Sequence, residues 1–250
     1  MAFALYMVLT PSECDDRGRD VQRVASILHR TPNAVSLKIW NIAANDRNRR
    51  MSGRVGMTHG SRLDHEVWEE YSQEGDIFFN RCLDLVTEVL RQADSNDVLP
   101  SSRFSSLETA SRVLLGEERM VTAAQRVHQE YFRNSLLTNY HHSCCLSGIR
   151  MDSLLIASHI KPWAVSTPKE KTASSNGLLL NAFLDRAFDQ GFITIDHDYR
   201  VIVSDEVGHS SANDMWLYRY AGQKITLPEV NPPSHEFIDY HNGYVFRRAA

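Results

Sequence analysis

Four residues in the second half of the chain have the types and spacing for hydrolytic chemistry. His159 follows a short apolar run, Leu154-Leu155-Ile156-Ala157, and so stands at the end of a β-type segment. Asn176 lies 17 residues on, beyond a loop rich in Lys and Ser, and Asp185 nine residues after Asn176. Asp189 comes four residues later, so on a helix the two acids share one face. A lone histidine is more often a surface or core residue than a base, and it is the order of its partners that argues for chemistry. Strand, loop, strand, helix, with the histidine on the first strand and the acids on the helix, sets a base beside a hard-cation site. Oxygen donors suit Mg²⁺ or Mn²⁺. A neutral imidazole that takes a proton from water beside such a cation is equipped to hydrolyse a phosphodiester.

The surrounding sequence must supply those elements. Beyond His141 the texture is of short β-type runs, CCLSG, LLIASHI, GFITI and RVIVS. NGLLLNAFLDRAFDQG reads as a helical pattern closed by Gly191 at the C′ position. The adjacent His141 and His142 point to opposite faces if they lie in a strand, which disfavours joint chelation. Three prolines, Pro228, Pro232 and Pro233, break the tail before a final short helix.

The first half is helical in pattern. MAFALYMVLT lacks the basic start and small-residue cleavage site of a leader and is expected to be a buried first helix. Val21, Val24, Ala25 and Leu28 form an i, i+3, i+4, i+7 stripe. Thr31-Pro32 then offers an N-cap and a first-turn proline. The next helix turns Val35, Ile39 and Ile42 inward and Asn33, Ser36, Lys38 and Asn41 outward, as a helix-turn-helix requires. A plain helical hairpin has the same pattern. DHEVWEEY and IFFNRCLDLVTEVLRQ read as further helices. The expected organisation is α+β: a helical DNA-recognition domain over residues 1–92, a polar linker at 93–106, and a second domain with leading helices over 107–250.

Composition narrows the class. A hydrophobic content of 42% over 250 residues is enough for packed cores, and no apolar run approaches bilayer length. The four cysteines, Cys14, Cys82, Cys144 and Cys145, are too few and too scattered for a disulfide framework, so a cytoplasmic setting is expected. A net charge of −4 argues against an indiscriminate nucleic-acid binder. The charge is segregated, however. From Arg17 to Arg54 nine Lys or Arg face only Asp20 and Asp46, and the stretch from Ser61 to Pro100 is acidic. Arg47, Arg49, Arg50 and Arg54 flank the helix pair and suit phosphate contacts.

HIKPW, NGLLL and LDRAFDQG in register, with YFRNSLLTNY before them and EFIDYHNGYVFR after, resemble the HNH nucleases of the ββα-metal fold. The likeness is to the bacterial restriction-type branch and covers about Ala123 to Arg247, half the chain. The resemblance implies a C-terminal ββα-metal nuclease domain with His159 as general base and Asn176 as a brace for the loop and imidazole. It places Asp185 at the metal-ligand position and Asp189 at a further position that some members use. Ser158 stands where many members have Asp or His as the other metal ligand, a departure that leaves water, Asp189 or a DNA phosphate to complete the shell. Arg186, Arg150 and Lys161 are candidate phosphate contacts, and RTPNAVSLKIWN looks like the domain that often precedes such nucleases. Cys144 occupies a strand-end Cys position, but without paired cysteines downstream no structural zinc is expected.

The function so implied is restriction-type DNA cleavage with one divalent cation, Mg²⁺ or Mn²⁺, per site. A double-strand cut by such single-strand sites implies a homodimer on the duplex. Many restriction-type members act on modified DNA, and nothing in the sequence selects between modified and unmodified targets. A non-catalytic DNA-binding regulator built on the same scaffold is the alternative, with Ser158 as its main support.

Overall fold

The computed structural model describes residues 1–46, 61–94 and 121–248. By internal packing the chain divides into Met1–Asn134 and Ser135–Ala250. Arg47, Arg49, Arg50 and Arg54 lie outside the described residues, as does the expected linker except for residues 93 and 94. No helix among the described residues is long and apolar enough to cross a membrane.

The first unit is helical: α1 (Ala2–Val8), α2 (Arg19–Ile27), α3 (Pro32–Ala43), α4 (Arg62–Glu74), α5 (Asp76–Asp94) and the first part of α6 (Val121–Asn139). α1 buries Phe3, Ala4, Leu5, Met7 and Val8, as its apolar sequence requires. Phe3 sits among Trp68, Tyr71 and Phe78 with ring centroids 5.4, 5.1 and 5.3 Å away. Trp68 donates its indole N–H to the Ile42 carbonyl at 2.7 Å, so its one polar atom is satisfied inside the core. Tyr131 of α6 stacks on Phe79 at 3.6 Å, which places that part of α6 in the helical unit rather than with the residues that follow it.

Thr31 caps α3 by accepting from the Ala34 N–H, with Pro32 in the first turn. Val35, Ile39 and Ile42 face inward, as expected. Ser36 does not face outward: it is buried, because α1, α2 and α4 all pack against α3 and widen its covered arc past the apolar stripe. Leu28, expected in the stripe of α2, lies just past the helix end and is exposed.

The second unit holds two small antiparallel sheets, β1 (Leu155–His159) with β2 (Gly177–Asn181) and β3 (Ile193–Ile195) with β4 (Val201–Val203). Between β1 and β2 lies the short helix α7 (Pro168–Thr172), and directly after β2 comes α8 (Ala182–Asp189), packed on both strands. Two further helices follow, α9 (Ser211–Trp216) and α10 (His235–Tyr244), the latter against β3.

Three local expectations are corrected here. NGLLLNAFLDRAFDQG is not one helix, since its first part is β2. Leu178, Leu179 and Leu180 are all buried, and a short continuous apolar run carries no period that separates strand from helix. CCLSG forms a turn rather than a strand, with the Cys144 thiol accepting from the Asn181 backbone N–H at 3.3 Å. His141 and His142 end α6 in the left-handed conformation, φ 53° and 50°, and lie in no strand.

Candidate active site

The register of β1 and β2 explains the spacing of the histidine and the asparagine. His159 pairs with Gly177, so residues 160–176 are the connection of an antiparallel pair and Asn176 ends it beside His159. The Ile160 N–H donates to the Asn176 carbonyl at 2.9 Å. The Asn176 side chain is fully buried. Its Oδ1 accepts from the Lys161 N–H at 2.8 Å, and its Nδ2 donates to the carbonyls of Lys161 and Glu170 at 3.3 and 3.1 Å. One amide thus satisfies three backbone groups of an irregular segment that no ladder reaches.

The same loop orients His159. Its Nε2 lies 3.1 Å from the Lys171 carbonyl. A carbonyl only accepts, so the proton sits on Nε2 and the basic lone pair on Nδ1. Burial lowers the His159 pKa below its usual value, as does the Lys171 charge, against the opposing pull of the Lys171 carbonyl. The ring is therefore neutral at neutral pH. Trp163 stands edge-on to it at 5.4 Å, with Lys171 Nζ 4.9 Å from the Trp163 ring centre. α7 carries Lys171 and is held by a capping box, in which Thr167 donates its N–H to Glu170 and Glu170 donates its N–H to the Thr167 hydroxyl.

The acids arrive on α8. Asn181 ends β2 and caps the helix, accepting from the N–H groups of Phe183 and Leu184 at 3.1 and 3.0 Å. Leu184, Ala187 and Phe188 are buried against the strands. Burial raises the Asp185 pKa, opposed by the Ser158 hydroxyl and the Arg186 charge. Asp189 is exposed as a residue, yet partial desolvation of its carboxyl and the Asp185 charge raise it to about 6, with Arg186 opposing. Ser158 is buried; its hydroxyl favours the ionised Asp185 yet makes no well-formed hydrogen bond of its own. Two carboxylates that repel each other beside an orphaned buried hydroxyl form a donor set that a hard cation relieves. Among the described residues no three His, Cys, Asp or Glu side chains converge as a metal-binding group. A cation held here would meet two carboxylates and a hydroxyl.

The remaining candidates are dispersed. Arg186 is exposed on α8, and Arg150 is exposed in the turn before β1. Lys161 is engaged by Glu170 at 2.7 Å and packs against the Tyr240 ring, so its ammonium is already neutralised. His142 binds Asp152 at 2.8 Å, and His141 lies 3.8 Å from Glu229. In the helical unit Asn33 is exposed and Asn41 half-buried, while Lys38 is held by the buried Asp64 and by Ser61.

Sequence reasoning missed His241. It lies on α10 inside EFIDYHNGYVFR, where one histidine in a helix gives no signal of its own. Its ring stacks on Phe188 at 3.8 Å, Nε2 donates to the Phe188 carbonyl at 3.1 Å, and Nδ1 lies 2.8 Å from the Thr194 hydroxyl. It ties the end of the acid-bearing helix to β3 across 53 residues of sequence. One cap did carry a signal: Thr167-Pro168-Lys169-Glu170 has the spacing of a capping box.

The candidate site is framed by a two-stranded antiparallel sheet with a histidine at the end of the first strand, backed by a helix that carries two acids. Residues 144–196 match the family model HNH_2, HNH endonuclease, a span that holds Ser158, His159, Asn176, Asp185 and Asp189. No curated protein matches the chain. The matched domain supports nuclease activity and DNA as substrate, and HNH nucleases generally use a divalent metal.

Proposed function

We propose that the protein is a metal-dependent DNA endonuclease of restriction type, with His159 as general base. The observation that carries this reading is the orientation of His159, whose proton is held on Nε2 by the Lys171 carbonyl at the end of a strand against which α8 packs. Nδ1 then takes the proton from the attacking water, and the depressed pKa keeps that nitrogen deprotonated at working pH. Asn176 fixes the loop that supplies the carbonyl. Asp185, with Asp189 and Ser158, would hold the divalent cation, Mg²⁺ or Mn²⁺. When bound it supplies Lewis-acid stabilisation of charge on the phosphate and the leaving oxygen. Arg186, exposed on the same helix, suits the phosphate. A homodimer would deliver one such site to each strand.

In this reading the N-terminal helices and the Arg49–Arg50 region contribute grip on DNA. The face of α3 is narrower than its sequence suggests, since Ser36 is buried and Lys38 is held by Asp64. That weighs against a regulator that reads bases through α3 alone. Incubation with modified and unmodified plasmids in Mg²⁺, Mn²⁺ or EDTA, beside His159→Ala, tests the function. Metal-dependent cutting that disappears in the variant is the expected result. Binding without cutting, identical in both proteins and unaffected by EDTA, selects the regulator. Replacing Arg49 and Arg50 by Ala should flatten the salt dependence of binding.

A further inference from the structure

α8 presents more than its acids. With 100° per residue and Phe183 as origin, Arg186 falls at 300°, Asp189 at 240° and Asp185 at 200°, so around the helix Arg186 separates the acids from Phe183. Phe183 is 49% exposed at the second position of the helix. Its ring meets Trp216 at 6.0 Å and 64°, and Trp216 is itself 58% exposed at the end of α9, beside Met215 at 60%. Apolar side chains scattered singly over a surface need no explanation, but two exposed aromatic rings that meet, with an exposed methionine next in sequence, are not scattered singly. Arg186, three residues from Phe183, makes no hydrogen bond or ion pair among the described residues. Arg219, three residues beyond Trp216, is exposed as well. The one acid on α9, Asp214, is held by His209 at 2.6 Å.

We propose that Phe183 and Trp216 are a stacking platform for an unpaired base of the DNA strand, next to the phosphate that the acids and Arg186 address. The proposal rests on the nuclease reading and narrows its substrate to DNA with an unstacked or extruded base at the cut. The chemistry is that of single-strand recognition, in which aromatic rings take the faces of bases while cations follow the backbone. Neighbours three apart on a helix are about 5–6 Å apart at Cβ, so a phosphate on Arg186 leaves its adjoining base within reach of Phe183. Three side chains are too little to seat a stable subunit interface, which needs about 800 Å² per partner, so a strand fits this patch better than a second copy.

The test measures binding in EDTA of the whole protein to a fully paired duplex and to the same duplex with a one-nucleotide bulge carrying 2-aminopurine. Wild type should prefer the bulged duplex and quench the probe. Phe183→Ala/Trp216→Ala, both at exposed positions, should keep its melting temperature, lose about ten-fold or more in affinity for the bulged duplex, and leave the probe bright. Equal affinity of wild type for the two duplexes, or an unchanged preference in the variant, overturns the platform while metal-dependent plasmid cutting still stands. A dimer that becomes monomeric in the variant, seen by sedimentation, assigns the patch to self-association and also overturns it. Absence of both cutting and DNA binding removes the nuclease reading together with the platform.

Discussion

Trp68 in the helical unit and Asn176 in the second unit are both enclosed, and they hold their surroundings in different ways. Trp68 contributes aromatic area within a cluster that includes Phe3, Tyr6 and Tyr71, and its single N–H is a detail of that packing. Asn176 contributes almost no apolar area and instead satisfies three backbone groups of a loop. The pattern extends beyond the pair. The helical unit buries long apolar stripes, with a few polar groups such as Asp20, Ser36, Asp46 and Asp64 enclosed among them. The second unit places irregular backbone beside its candidate site and fastens it with Asn176, Asn181, His241 and the Thr167–Glu170 box. Periodic helices need no such fastening, because each backbone group finds its partner one turn away. A site that presents a carbonyl to an imidazole has to leave regular structure, and buried amides replace the ladder.

The largest effects that sharpen this contrast concern activity. His159→Ala should lower cutting by about 10²–10⁴-fold while DNA binding in EDTA stays near wild type, since only the proton transfer is removed. Asp185→Ala should abolish cutting and leave binding largely intact; unchanged cutting takes Asp185 out of the cation's shell. No substitution confined to the buried stripe of α3 should imitate these results without also lowering the melting temperature.

Stability comes next. Asn176→Ala strips the Lys161 N–H and the Glu170 carbonyl of their partner, while the Lys161 carbonyl keeps the Ser166 hydroxyl, at a cost of about 1–3 kcal/mol per group left unsatisfied. Calorimetry should show the loss in the transition of the second unit and not in that of the helices. If both transitions shift together, the two units are not independent in the way the contrast requires.

Acid should separate the units further. Burial lowers the His241 pKa from its ordinary 6.5 to about 4, so the folded protein favours the neutral ring. That contribution is complete above pH 6.5 and is lost as pH falls from 6.5 towards 4, in total about 3 kcal/mol. Asp189, raised to about 6, acts in the opposite direction, because protonation relieves its repulsion with Asp185. The His241 part is therefore read as the difference between wild type and His241→Gln in acid titrations of stability. A difference that does not change between pH 7 and pH 4 removes His241 as the acid-sensitive fastening. Asp64 follows the other rule. Burial opposes its ionisation, but the hydrogen bonds from Lys38 and Ser61 outweigh that and hold its pKa below 3.8. Its contribution is present above 3.8 and is lost only as pH falls below that value, so the helical unit should keep it through the range in which the His241 contribution is lost.

The smallest expected effect is that of Lys38→Met. It leaves the buried Asp64 with Ser61 alone and should destabilise the helical unit by about 1–3 kcal/mol. DNA affinity at a temperature where the unit is folded should be unchanged. A clear loss of affinity with unchanged stability puts Lys38 on the DNA after all and restores the wider face to α3.

How much was legible follows from how local each interaction is. The order His159, Asn176, Asp185, the strand before the histidine, the cap at Thr31, and the inward residues of α3 are written in short windows. Neighbours within about a turn decide such features. The strand at Leu178–Leu180 was only partly legible: the order strand, loop, strand, helix called for it, but a run buried on both faces has no alternation to divide it from the helix that follows. Ser36 is buried because three other helices surround α3, and Lys38 is engaged because Asp64 arrives from α4. His241 binds a carbonyl 53 residues away, and Phe183 meets Trp216 only because the chain returns through β3 and β4. The sequence by itself determined which chemistry the second half is equipped for and which helices line the first. The tertiary structure decided which polar groups are already engaged and which face outward. Burial and charge pairing depend on residues far apart along the chain, and only folding sets them within a few ångströms of each other.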